Sequence, residues 1–131
     1  MAKISPYGAP GVFQSPAYAQ AIKVEGAQTL LFISGQLDYD AQGGCAHPGD
    51  FAGQAKGALA ALKAQVEAGG GTMASIVKVN TYLTDSRFIV PFRTVRDRFF
   101  PAPPYPASTL VIVAGLADPG MLVEIEVVAA K

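Results

Sequence analysis

The chain has 131 residues, enough for one ordinary domain and too few for two. Half of them are hydrophobic, which excludes disorder as the main state and is apolar enough for so small a chain to suggest surface hidden in an oligomer. Ten basic residues balance ten acidic ones, so the basic excess typical of a nucleic-acid binder is absent, and the one cysteine, Cys45, rules out an intrachain disulfide.

In chain order, a short extra strand near residues 2–5 precedes strands at 21–25 and 29–36, and Gly26, Ala27 and Gln28 have the spacing to join that pair as a hairpin. Residues 37–50 form a polar, glycine-rich loop ending in Asp50, which has the chemistry of an N-cap for a helix over 51–68. Ala55, Leu59, Leu62 and Val66 recur at helical spacing as one apolar stripe, and Gly69, Gly70 and Gly71 stop the helix. A β-branched strand follows at 75–83. Phe88, Phe92, Val95 and Phe99 then predict a second helix over 87–99, with Pro91 early enough to be tolerated in its first turn. The proline-rich stretch 101–106 excludes helix and central strand, and strands at 107–114 and 121–129 close the chain.

The order ββ-α-β-α-ββ predicts an α+β domain, residues 1–131, with two helices on one face of a mixed sheet. Its other face needs a cover that one domain cannot supply, so subunit contact is expected. No apolar run approaches the ~18 residues of a membrane span, and the start lacks the apolar stretch of a secretion signal. A soluble, cytoplasmic protein is the expectation.

Standard catalytic constellations are missing. Cys45 and His47 lie two apart in a loop and no other Cys or His exists, so a zinc site of ordinary composition cannot form, and residues so spaced seldom point at one another. His47 is the sole candidate base for a serine triad, without a nucleophile elbow. In the last strand Val123, Ile125 and Val127 share one face, and Glu124 and Glu126 share the other. The two glutamates are either exposed carboxylates on a solvated face or groups set in apolar surroundings, where desolvation suits a carboxylate to act as acid or base. Asn80 interrupts a β-branched strand, either at an edge or as a polar group held for a reason.

Four separated segments carry a resemblance. Residues 15–21 (SPAYAQA) resemble the PYSQA segment of the Rid/YjgF proteins, the reactive intermediate deaminases also known as L-PSP endoribonuclease-like. Residues 32–36 (FISGQ) resemble their SGQ strand, residues 77–85 (VKVNTYLTD) their VVKTTVFLTD-type strand, and residues 123–126 (VEIE) their terminal VEIE. The match runs from about residue 15 to the C-terminus. It implies a chorismate-mutase-like fold assembled as a homotrimer with clefts between subunits. It also implies hydrolysis of imines and enamines such as 2-aminoacrylate to a keto acid and ammonia, without metal or organic cofactor.

By that resemblance Glu124 would hold and polarise the attacking water, Gly35 would offer backbone groups beside Ser34, and Tyr18 would line the cleft. Asn80 and Ser108 join them as candidate substrate contacts. The deaminase members carry a carboxylate-clamping arginine in a P-A-R-(S/T) segment, where this chain has Pro106, Ala107, Ser108 and Thr109. A serine hydroxyl cannot replace a guanidinium fork, so substrate recognition is expected to differ, and Arg87 or Lys78 are more at home on the surface. The rival readings are a non-catalytic ligand-binding or interaction trimer of the same fold and, more weakly, a ribonuclease. No membrane or nucleic-acid partner is expected.

Overall fold

The computed structural model describes residues 2–131. Helix α1 spans Phe51–Ala68, and the Asp50 carboxylate accepts the Gly53 N–H at 3.0 Å, satisfying one of the orphan donors of the first turn. It ends where Gly70 takes a φ of +89°, a conformation that penalises any residue with a Cβ. Ala55, Leu59, Leu62 and Val66 are fully buried, and each of the larger ones contributes roughly 1.5–3 kcal/mol of burial. Helix α2 spans Ile89–Phe99, and a 3-10 turn at Ser86–Phe88 occupies the residues from which the sequence starts this helix. Phe88 stacks on Phe51 with ring centroids 4.3 Å apart and so ties the starts of the two helices together.

The strands are β1 (Lys3–Tyr7), β2 (Ala21–Glu25), β3 (Leu30–Gln36), β4 (Ile76–Leu83), β5 (Ala107–Ile112) and β6 (Val123–Ala130). Strands β3, β6, β4 and β5 form one sheet in that order. Its β3–β6 and β6–β4 pairs are antiparallel and its β4–β5 pair is parallel, the crossover being carried by α2. Both helices cover the face that carries Val79, Val123, Ile125 and Val127, so the sheet is mixed and the layers are those expected of an α+β domain. Among the described residues no helix is long and apolar enough to cross a membrane.

The expected hairpin between 21–25 and 29–36 does not form. β2 pairs with β1 instead, from Lys3 opposite Glu25 to Tyr7 opposite Ala21. Gly26 does turn the chain, at a φ of +69°. The next donors are committed elsewhere, because the N–H groups of Gln28 and Thr29 both donate to the Lys131 carbonyl at 3.0 Å. That clamp lays β3 against the end of β6.

The loop over 37–50 is ordered by side chains. Asp40 accepts the N–H groups of Gln42 and Gly44, each at 2.9 Å. Gln54 is fully buried: its amide donates to the carbonyls of His47 and Gly120 and accepts the Leu122 N–H at 2.8 Å. One glutamine thus fastens two loops to the start of α1.

Candidate functional site

The sheet face away from the helices carries Leu30, Phe32 and Val111 largely exposed, Phe32 at 75 %. Glu124 and Glu126 project from this face because β6 alternates, with Val123, Ile125 and Val127 buried on the other side. Across from them, β3 contains a bulge. Ile33 lies opposite Val127 and Gln36 opposite Ile125, so Ser34 and Gly35 together oppose Glu126 alone. The extra residue takes backbone polar groups out of the ladder beside the two carboxylates.

Gly35 has no room for a side chain. A Cβ there would lie 2.6 Å from Cδ of Glu124 and 2.8 Å from its Cγ, so the carboxylate rests directly over the glycine backbone. The two glutamates differ in their ties. Glu126 accepts from the Asn80 amide at 3.3 Å and from the Tyr82 hydroxyl. That bond, with partial burial and the nearby negative charges of Glu126 and Glu124, raises the Tyr82 phenol above its ordinary value and keeps it a donor. Among the described residues no donor reaches the Glu124 carboxylate, which is free to engage a water. Ser34, Lys78, Asn80 and Glu126 line a shallow recess of about 270 Å³ on this face.

The remaining candidates lie elsewhere. Ser108 pairs in register with Val79, a core residue, and therefore faces the helices. With Tyr18 and Thr81 it lines a second cavity of about 320 Å³, floored by Leu59, Phe92 and Ile125. Tyr18 is brought there because the Ala19 N–H donates to the Pro106 carbonyl at 3.1 Å, docking its segment on the edge of β5. Glu124 lies opposite Tyr82, which lies opposite Val111, three residues along β5 from Ser108. Two strand spacings and three residue rises amount to about 14 Å, on opposite faces. Within one chain, Glu124 and Ser108 cannot touch the same small molecule.

Neither surface cation approaches Glu124. The guanidinium of Arg87 forks onto Asp85, at 3.0 and 2.8 Å, and holds that carboxyl at about 2. Lys78 donates to the Thr109 hydroxyl at 2.8 Å. His47 is not idle in its loop: its Nδ1 lies 2.8 Å from the buried carboxylate of Asp38. The sequence reading missed Tyr82, although it shares a face with Asn80 by strand alternation. It also missed Arg96, one helical turn from Phe92 and lining the cavity of Ser108.

Comparison with known proteins agrees with this architecture. A family model described as Endoribonuclease L-PSP matches residues 13–131. A RutC family protein of Pyrococcus horikoshii is 35% identical over 114 residues, covering 87% of this chain and 86% of that protein. The crystal structure of RidA from an Antarctic Psychrobacter superposes with a TM-score of 0.71 at 32% identity, covering 97% of this chain and 94% of the other. A Rid-family protein of unknown function from Yersinia pestis, YyfB, superposes over 98% of each chain with a TM-score of 0.87. At 23% identity, that last likeness bears on the fold alone.

Proposed function

The chain belongs to the Endoribonuclease L-PSP family, the Rid/YjgF proteins, and from that membership we propose that it hydrolyses small imines and enamines to a carbonyl compound and ammonia. The observation that carries this reading is the Glu124 carboxylate, bound by no protein donor among the described residues and lying over a glycine that leaves it room. A water held by Glu124 attacks the imine carbon and gives up a proton to the carboxylate. The C=N π pair moves to nitrogen, which takes that proton, and a carbinolamine results. Glu124 then takes the carbinolamine hydroxyl proton and passes it to nitrogen, expelling ammonia as the C=O bond forms; an enamine enters the same sequence after tautomerising to its imine, carbon gaining the proton that nitrogen loses. One water is consumed, one ammonia leaves, and Glu124 ends as it began. The backbone of Ser34 and Gly35, freed by the bulge, supplies polar contacts to the substrate, and Asn80 holds Glu126 beside it.

The protein acts as a homotrimer in this reading, its partner subunits covering the apolar sheet face and completing a cleft around Glu124. Exposed Leu30, Phe32 and Val111 support that assembly. Ser108, in place of the arginine of the deaminase members, favours a second reading, a ligand-binding trimer of the same fold without hydrolysis. The deciding experiment incubates the protein with 2-aminoacrylate, other imino acids and neutral imines generated in situ, and follows ammonia and carbonyl release. Acceleration of at least one class supports hydrolysis. No acceleration of any refutes it.

A further inference from the structure

The cavity behind β4 and β5 holds more than the two residues that the sequence places in a substrate site. Beneath it Leu59, Phe92 and Ile125 are sealed in the core, and the half-buried Tyr18, Phe100 and Tyr105 line the space of about 320 Å³ above them. A concave apolar hole with a few convergent polar groups is the usual form of a small-molecule site.

The polar groups define what fits. Arg96 reaches the cavity from α2 with its side chain only 20 % exposed. Among the described residues its side chain is partnered by its neighbour Asp97 alone, whose side chain is 67 % exposed, and both bonds, at 3.3 and 3.0 Å, go to a single carboxylate oxygen. That leaves most of a five-donor fork unused and pairs it with a solvated, weakly held counter-ion. The hydroxyls of Tyr18, Thr81 and Ser108 also line the space and are uncommitted to protein partners among the described residues.

We infer that this cavity binds a small monocarboxylic acid with an apolar body, its carboxylate taken by the guanidinium of Arg96 and its body lying against the half-buried rings of Phe100 and Tyr105. One carboxylate matches the single guanidinium, and Asp97 at the rim repels a second negative charge. Arg96 thereby sets specificity in a cavity where Ser108 provides no cation. The inference concerns binding alone and does not rest on hydrolysis at Glu124.

Isothermal titration calorimetry with 3-phenylpropanoate and its neutral isostere 3-phenylpropanamide tests it. The carboxylate binds the native protein at least tenfold more tightly than the amide, as a charge-assisted bidentate contact requires. Arg96→Gln abolishes the preference, bringing the carboxylate down to the affinity of the amide. Asp97→Asn, which removes the competing counter-ion, tightens carboxylate binding several-fold. Backbone amide shifts on titration centre on Thr81 and Ser108. Equal binding of acid and amide, no binding of either, an unchanged preference in Arg96→Gln, or shifts centred on Ser34 and Gly35 would overturn the inference. A failure to hydrolyse imines counts against the Glu124 mechanism and leaves these titrations to be read on their own.

Discussion

Gly35→Ala separates the chemistry of Glu124 from the stability of the fold. The new methyl would stand 2.6 Å from Cδ of Glu124 and 2.8 Å from its Cγ, so the carboxylate must swing away. The displaced atoms are the far end of a flexible side chain, and a rotamer change of that kind costs about 0.5–1.5 kcal/mol. Replacing glycine by alanine in extended backbone returns about 0.4–1 kcal/mol through the unfolded chain. The net change in stability is therefore within about 1 kcal/mol, a shift of roughly 3–5 °C in Tm for a chain this size. The rate of imine hydrolysis should nevertheless fall by about 10²–10⁴, the worth of one positioned acid–base group. Thermal unfolding and ammonia release, measured on the same samples, check both halves. Combining Gly35→Ala with Glu124→Gln should add little to the loss from Glu124→Gln alone, because both remove one interaction. A folded Gly35→Ala variant that turns over like the native protein would refute the reasoning.

Glu126→Gln should lower the rate far less than changes at Glu124, since Glu126 is already engaged by Asn80 and Tyr82; equal losses at the two positions would contradict this division. The same bond sets a pH signature. Tyr82 has a raised folded pKa, so the stability it contributes is fully present below its unfolded value near 10 and is lost as pH rises through the higher folded value. Absorbance titration at 295 nm should show one late tyrosine, which Glu126→Gln returns toward the ordinary range. Gln54→Ala removes three buried hydrogen bonds between α1 and two loops, and should cost about 2–4 kcal/mol in urea unfolding. Sedimentation should find a trimer, and a stable monomer at micromolar concentration would remove the proposed cover from the sheet face.

What the sequence made legible follows how local each signal is. Helix α1 runs over the expected residues because its cap at Asp50 and its stop at Gly70 lie at its own ends. The alternation of Val123 to Val127 likewise assigns both glutamates to the face opposite the core without reference to any other strand. Pairing is not local. The β2–β3 hairpin failed because the donors at Gln28 and Thr29 are taken by Lys131, about a hundred residues away in the chain. The gathering of candidate site residues failed to be legible for the same reason. Motif order says nothing of sheet face, and only the β4–β5 register reveals that Ser108 and Tyr18 sit behind the sheet while Glu124, Ser34, Gly35 and Asn80 sit before it. Arg96 carried a usable signal in its four-residue spacing from Phe92, whereas nothing in the sequence marks Gln54 as the tie between two loops.

The central claim is that Glu124, engaged by no donor among the described residues, activates water. Glu124→Gln keeps the side chain's shape and removes its titrating group, so its effect on single-turnover hydrolysis of the best imine substrate is the most direct test. A fall of about 10²–10⁴ in rate with an unchanged unfolding midpoint is the predicted result. Hydrolysis at the native rate by the folded variant would contradict it.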